Sequence, residues 1–289
     1  MPSILVRLRD AWDRLSAHNL RYYALVPLVV AALNGTKIQN LLRSDHDFHA
    51  GISFGAPLPV TDAWSFVSTP AVGGGVQFSG PRTRLGIGLF AFGLVLQGVL
   101  LAGYLGGLHR GLRGDQPRFG AAVGAYWQRF LGFAVLLLGL FLPPVLFTLA
   151  ARSLAPLVVL WLVAFFVLGY LLYAAPYLIV LHDAGLGEAL SWSVSLATDG
   201  GAYLRYAVGY ALAVVAISIP ATLVVANVPI LGIPLGIVGL APVGLVFDTA
   251  TLVFVADLTD AEGLGTRLPR GRRPNRAALS TPPDERGST

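Results

Sequence analysis

Two stretches decide the fold: YAVGYALAVVAISIPATLVVA (Tyr206–Ala226) and LGIPLGIVGLAPVGLVFDTATLVFVA (Leu231–Ala256). Between them they hold one charged side chain, Asp248. A bilayer's hydrocarbon core, about 30 Å thick, needs about 20 helical residues to cross. Both stretches meet that length, and neither shows the polar stripe that a helix on a soluble core would turn to water. Leu85–Leu108, Phe130–Leu149 and Leu154–Leu181 read the same way. A sixth run, Tyr22–Leu33, is apolar but meets Asn34, Gly35, Thr36 and Lys37. Residues to Leu42 complete that crossing if Lys37 snorkels to the far surface.

Only helices and closed barrels span a membrane. Barrel strands are about 10 residues long and alternate in polarity. These runs are continuous and about twice that length, so the expected class is all-α: a polytopic bundle of six transmembrane helices with amphipathic helices on the cytoplasmic side. The whole chain agrees: 289 residues, 55% hydrophobic and 12% charged, with a mean hydropathy of +0.69. Three regions follow: an amphipathic segment at 1–20, a membrane domain at 21–262 with its long outer loop at 43–84, and a basic disordered tail at 263–289.

There is no cysteine, which excludes disulfides and thiolate chemistry. Every basic residue except Lys37 is Arg, a bias that points to a GC-rich prokaryotic genome. The basic residues follow the joints between spans, so the pI near 9.7 is not read as a nucleic-acid footprint. The first 20 residues interleave charge with apolar positions and contain no signal-peptide apolar core.

Placing the N-terminus inside puts 15 of the 20 basic residues on inner segments and leaves Lys37, Arg43, Arg82, Arg84 and Arg152 outside. The positive-inside rule then sets both termini in the cytoplasm of a cell-membrane protein. Residues 4–16 repeat Leu5, Leu8, Trp12 and Leu15 at helical spacing, which suits an interfacial helix. Two further inner segments resemble it. One is opened by Asp115 and carries Phe119, Val123, Tyr126 and Phe130; the other is opened by Asp183 and carries Leu186, Leu190, Val194 and Ala197. Each ends in an Arg–aromatic pair: Arg21–Tyr22, Arg129–Phe130 and Arg205–Tyr206. Two accounts stand, a threefold repeat or the shared physics of phosphate-binding Arg beside interfacial rings.

The outer loop scatters Phe48, Phe54, Trp64, Phe66 and Phe78 among Gly and Pro, with a flexible point at Gly73–Gly75. It is expected to fold as a small cap over the bundle mouth. The Arg267–Arg276 cluster of the tail is expected to lean on anionic lipid.

Asp248 is the one candidate site residue. Charge at mid-bilayer is costly, so it calls for a partner, a water cavity or the bundle interior. It reads either as an intramembrane proton or ion site, or as an Asp close enough to the inner interface to reach water beside Thr249 and Thr251. Pro143–Pro144, Pro220, Pro229, Pro234 and Pro242 interrupt spans or their ends. Such breaks can expose carbonyls to an ion path, or simply be tolerated. Gly103–Gly107 and Gly232–Gly236 allow close helix contact within or between chains. Asp45, His46, Asp47 and His49 carry metal-ligating types but do not make a closed ligand set, so no metal is assigned. There is no phosphate loop, nucleophile elbow or HExxH pair, and no catalytic or cofactor residue is assigned. A lipid-modifying enzyme would have to use Asp183, Glu188, His109 and His182, the one plausible inner cluster.

The run Tyr173–Val180, His182-Asp183, Gly187-Glu188-Ala189-Leu190 with Ser191 and Ser193, and the closing Leu252-Val253-Phe254-Val255-Ala256-Asp257-Leu258 resemble the membrane domain attached to some glycerophosphoryl diester phosphodiesterases. They are also similar to standalone prokaryotic six-helix membrane proteins of unknown function. The resemblance implies a membrane module and not hydrolysis, because nothing here matches the soluble catalytic barrel. The expected function is a non-enzymatic scaffold or partner module, working with lipid and with another membrane protein or a second copy. The alternative is a transporter or channel-like module built around Asp248.

Overall fold

The computed structural model describes residues 3–43, 48–53, 60–70, 84–150, 155–228 and 230–261. Those residues form helices and connecting segments, with no strand among them. In chain order the helices are α1 Ile4–Ala17, a 3-10 turn Arg21–Ala24, α2 Leu25–Leu33, α3 Gly35–Arg43, a 3-10 turn Ala63–Ser65, α4 Arg84–Leu112, α5 Phe119–Ala150, α6 Ala155–Leu172, α7 Ala175–Leu181, α8 Leu186–Thr198, α9 Ala202–Asn227 and α10 Gly232–Ala261.

Among the described residues five stretches are long and apolar enough to cross a membrane: Phe92–Leu112, Phe119–Leu140, Leu160–Leu181, Ala202–Asn227 and Gly232–Asp260. The first apolar run differs from expectation. It bends by 57° between Arg21–Leu33 and Gly35–Arg43, and gives a sixth span only if that bent pair counts as one. Asn34 breaks the ladder, and its side chain accepts from the Lys37 backbone N–H at 3.3 Å. The Lys37 ammonium donates to Thr69 Oγ1 at 3.2 Å.

The outward faces are apolar. Leu160, Val163 and Phe166 on α6 and Leu204, Val208 and Leu212 on α9 are all exposed. Soluble monomers rarely carry apolar patches of that extent, whereas lipid requires them. The interior packs through small residues. A side chain on Gly103 would meet the Phe119 ring, and one on Gly107 the Tyr23 ring. On α10 one at Gly236 would meet Val225. Both GxxxG spacings therefore serve contacts within this chain.

Other elements depart from the expected outline for local reasons. The second amphipathic segment is not separate: it runs straight into the next span as α5. Asp115 does not cap it, since the first helical carbonyl is that of Arg118, which accepts from Ala122 N–H at 3.1 Å. The third span is broken between α6 and α7, where Pro176 opens the second piece. Proline cannot extend the ladder of the preceding helix. Ser193 of α8 repairs the break: its hydroxyl accepts from Ala174 N–H at 3.2 Å and donates to Leu171 O at 2.6 Å. Asp183 sits at φ 52°, while Gly185 takes the N-cap position of α8.

α1 lies across one end of the bundle. Leu5 and Trp12 face outward while Ala11 and Leu15 are buried. Arg7 is also buried, bonded to Asp257 Oδ2 at 3.0 Å and stacked over the Phe254 ring at 4.9 Å. The first and last helices therefore meet at the same end, hereafter the α1 end. The opposite end, where α9 turns into α10, is the loop end.

Candidate functional site: a buried carboxylate under an inserted loop

α10 is a nearly unbroken rod of 30 residues. At 1.5 Å per residue, Asp248 lies about 24 Å from its N-terminus, in mid-helix. It is fully buried, so the reading of an interfacial Asp reaching water is corrected. Its partners are Tyr104 of α4 and Thr61 of the 43–84 loop, which does not cap the bundle mouth but enters it: Val60, Thr61, Trp64, Phe66 and Val67 are all buried.

The geometry at the tip is specific. Thr61 N–H donates to both oxygens of Asp248 at 3.1 Å. The Thr61 hydroxyl donates to Oδ1 at 2.6 Å, and Tyr104 Oη donates to Oδ2 at 2.8 Å. Tyr210 Oη lies 2.9 Å from Thr61 Oγ1. Since the Thr61 proton goes to the carboxylate, Tyr210 is the donor there. Gly244, one turn before Asp248, makes the approach possible: a Cβ there would overlap the Thr61 carbonyl oxygen. Below the carboxylate, Thr251 Oγ1 meets Tyr173 Oη at 2.7 Å and Tyr206 Oη at 2.9 Å, and donates to Phe247 O at 2.9 Å.

The rest of the loop is fastened by the same device. Non-helical backbone at membrane depth persists only where protein or cavity water satisfies it. α9 supplies three partners along the half nearer the loop end. Ser218 Oγ accepts from Ser53 N–H at 2.6 Å, Thr222 Oγ1 from Ser68 N–H at 2.9 Å, and Asn227 Oδ1 from His49 N–H at 2.8 Å. Asn227 Nδ2 donates back to His49 O at 2.8 Å, and Trp64 Nε1 donates to Ala31 O of α2 at 2.8 Å. Asp62 caps the 3-10 turn, accepting from Ser65 N–H at 3.2 Å.

The inner cluster divides. His109 and His182 line one open cleft of about 540 Å³ at the α1 end. Asp183 instead pairs with Arg129, and neither it nor Glu188 lines that cleft. Of the outer acidic-histidine group, Asp45, His46 and Asp47 lie outside the described residues, as does the basic tail. Among the described residues no three ligating side chains are grouped to hold a metal.

Thr61, Tyr104, Tyr210 and Gly244 were not singled out by sequence. No signal marked the tyrosines: Tyr104 lies one turn from the end of Leu85–Leu108 and Tyr210 one turn from the start of Tyr206–Ala226, where Tyr is ordinary. The chain matches no known family model, no curated protein and no solved structure.

Proposed function

We propose that this chain is a non-enzymatic membrane module, a scaffold or partner for other membrane components, held in the cell membrane with both termini cytoplasmic. The observation that supports it is the saturation of Asp248. Two donors from Thr61 and one from Tyr104 occupy both carboxylate oxygens, so the one charged side chain of the last two long runs is engaged in holding the loop. The 15-to-5 asymmetry of basic residues supports the orientation. The likeness to the membrane domain of certain phosphodiesterases points the same way, toward a module without its own hydrolase.

A transporter-like reading keeps one observation in its favour: a non-helical segment reaches mid-depth through removable hydroxyl contacts, the kind of element that can gate a path. Proton flux into vesicles reconstituted with the wild-type chain and with Asp248→Asn separates the two. The module reading expects equal, background-level flux from both. Flux through the wild type that the substitution abolishes would replace it with the transporter.

A further inference from the structure

The cleft at the α1 end has a separate chemistry, independent of how the sealed centre is read. It is lined by Leu112, Leu181 and Val253 together with Arg14, Arg113, Asp257 and Asp260, and its surface is more polar than apolar. Two of these charges are already neutralised. Arg7 bonds Asp257 at 3.0 Å, and Asp10 bonds Arg14 at 2.9 Å. Arg113 and Asp260 remain, and neither forms an ion pair among the described residues. His109 and His182 stand on the same wall, the latter with Nε2 3.1 Å from Thr259 Oγ1. One cation and one anion without an ion pair, in one open cleft, complement a ligand with a negative group and a positive group. Depth agrees: α1 beside the cleft exposes Leu5 and Trp12, and Arg21 stacks over the Trp12 ring at 4.7 Å, as in a headgroup layer.

We propose that this cleft binds a zwitterionic phosphoethanolamine group, with Arg113 and the histidines facing the phosphate and Asp260 the ammonium. The group can come from a phospholipid or from free phosphoethanolamine. The headgroup depth of the cleft favours the lipid.

The test uses the full chain in detergent, titrated with dihexanoyl phosphatidylethanolamine, dihexanoyl phosphatidylglycerol and free phosphoethanolamine. The expected result is preference for the ethanolamine lipid over the glycerol lipid. Asp260→Asn should erase that preference while sparing glycerol-lipid binding, and Arg113→Gln should weaken both lipids by about fivefold, as for a rim charge. Both side chains are exposed, and unchanged thermal midpoints would confirm that the variants fold. Equal or stronger binding of the glycerol lipid by wild type would overturn the proposal, as would an Asp260→Asn variant that keeps the preference. Free phosphoethanolamine binding as tightly as the lipid would keep the recognition and reassign its source to the soluble compound.

Discussion

The two ends of the bundle treat polar groups in opposite ways. At the loop end the Asp248 carboxylate is fully buried and both its oxygens are bonded, although Thr249 Oγ1 and His49 Nε2 are buried without a partner among the described residues. At the α1 end an open cleft keeps Arg113 and Asp260 uncommitted among the described residues. In hydrocarbon an unpaired polar group is too costly to keep, so polarity at mid-depth is spent on holding the fold. At headgroup depth water screens the same groups, and they can wait for a ligand. Depth alone thus separates a fastening from a binding surface.

The hardest blow to that contrast is Asp248→Ala. It strips the acceptor from Thr61 N–H, the Thr61 hydroxyl and the Tyr104 hydroxyl together. At about 0.6–1.7 kcal/mol for each bond within a membrane, the loss should be about 2–5 kcal/mol. Thermal unfolding in detergent measures it; a midpoint within error of wild type would mean that the loop end is no more fastened than the cleft.

Gly244→Val should have the next largest effect, about 1–3 kcal/mol from overpacking, because its Cβ lands on the Thr61 carbonyl. The chain has no cysteine, so Ser65→Cys gives a clean reporter. Maleimide labelling at that position should be slow alone and fast when combined with Gly244→Val. Slow labelling in both would show that the loop tolerates the added bulk.

Arg7→Gln tests the α1 end. Its guanidinium bonds an exposed carboxylate and stacks over Phe254, so about 1 kcal/mol is expected. Amide exchange should quicken through α1 and leave Val60–Val67 unchanged. Faster exchange in the loop would couple the two ends and erase the distinction.

The smallest effect is a pH dependence at the cleft. Burial lowers the His182 pKa below its ordinary 6.5, and nearby Asp260 opposes the shift. The unfolded chain therefore takes up a proton first as pH falls. Stability from neutral His182 is present above about 6.5 and is lost as pH drops through the lower folded value. His182→Gln should flatten part of that slope between pH 7 and 5 in thermal scans; an identical slope would place the titration elsewhere.

The spans were legible because their signal is length times apolarity, and that survives any packing. α9 starts four residues before its run and ends one after it, and α10 runs five residues past the end of its run. What escaped depends on meetings between distant residues. Nothing local tells that Thr61 finds Asp248, 187 positions away; of the loop's aromatics Trp64 and Phe66 are buried while Phe48 is exposed, a difference their residue type does not announce. Ser193 closing the break between α6 and α7 is likewise invisible until α8 folds back over it. Asp248 was found because an intramembrane charge stands out alone, while its hydroxyl partners were hidden by being ordinary residue types.

The reach of α10 has a consequence for how the chain is made. Its upper half fixes a segment 187 positions earlier, and its lower half holds Arg7, 250 positions earlier. At roughly 5–20 residues per second of synthesis, Thr61 waits about 10–40 s after leaving the ribosome before its acceptor exists. Until the last rod enters the bilayer, the earlier hairpins are an unfinished ring with a polar segment at its mouth. A nascent chain truncated before Asp248 should therefore be a better client for membrane quality control than the completed one.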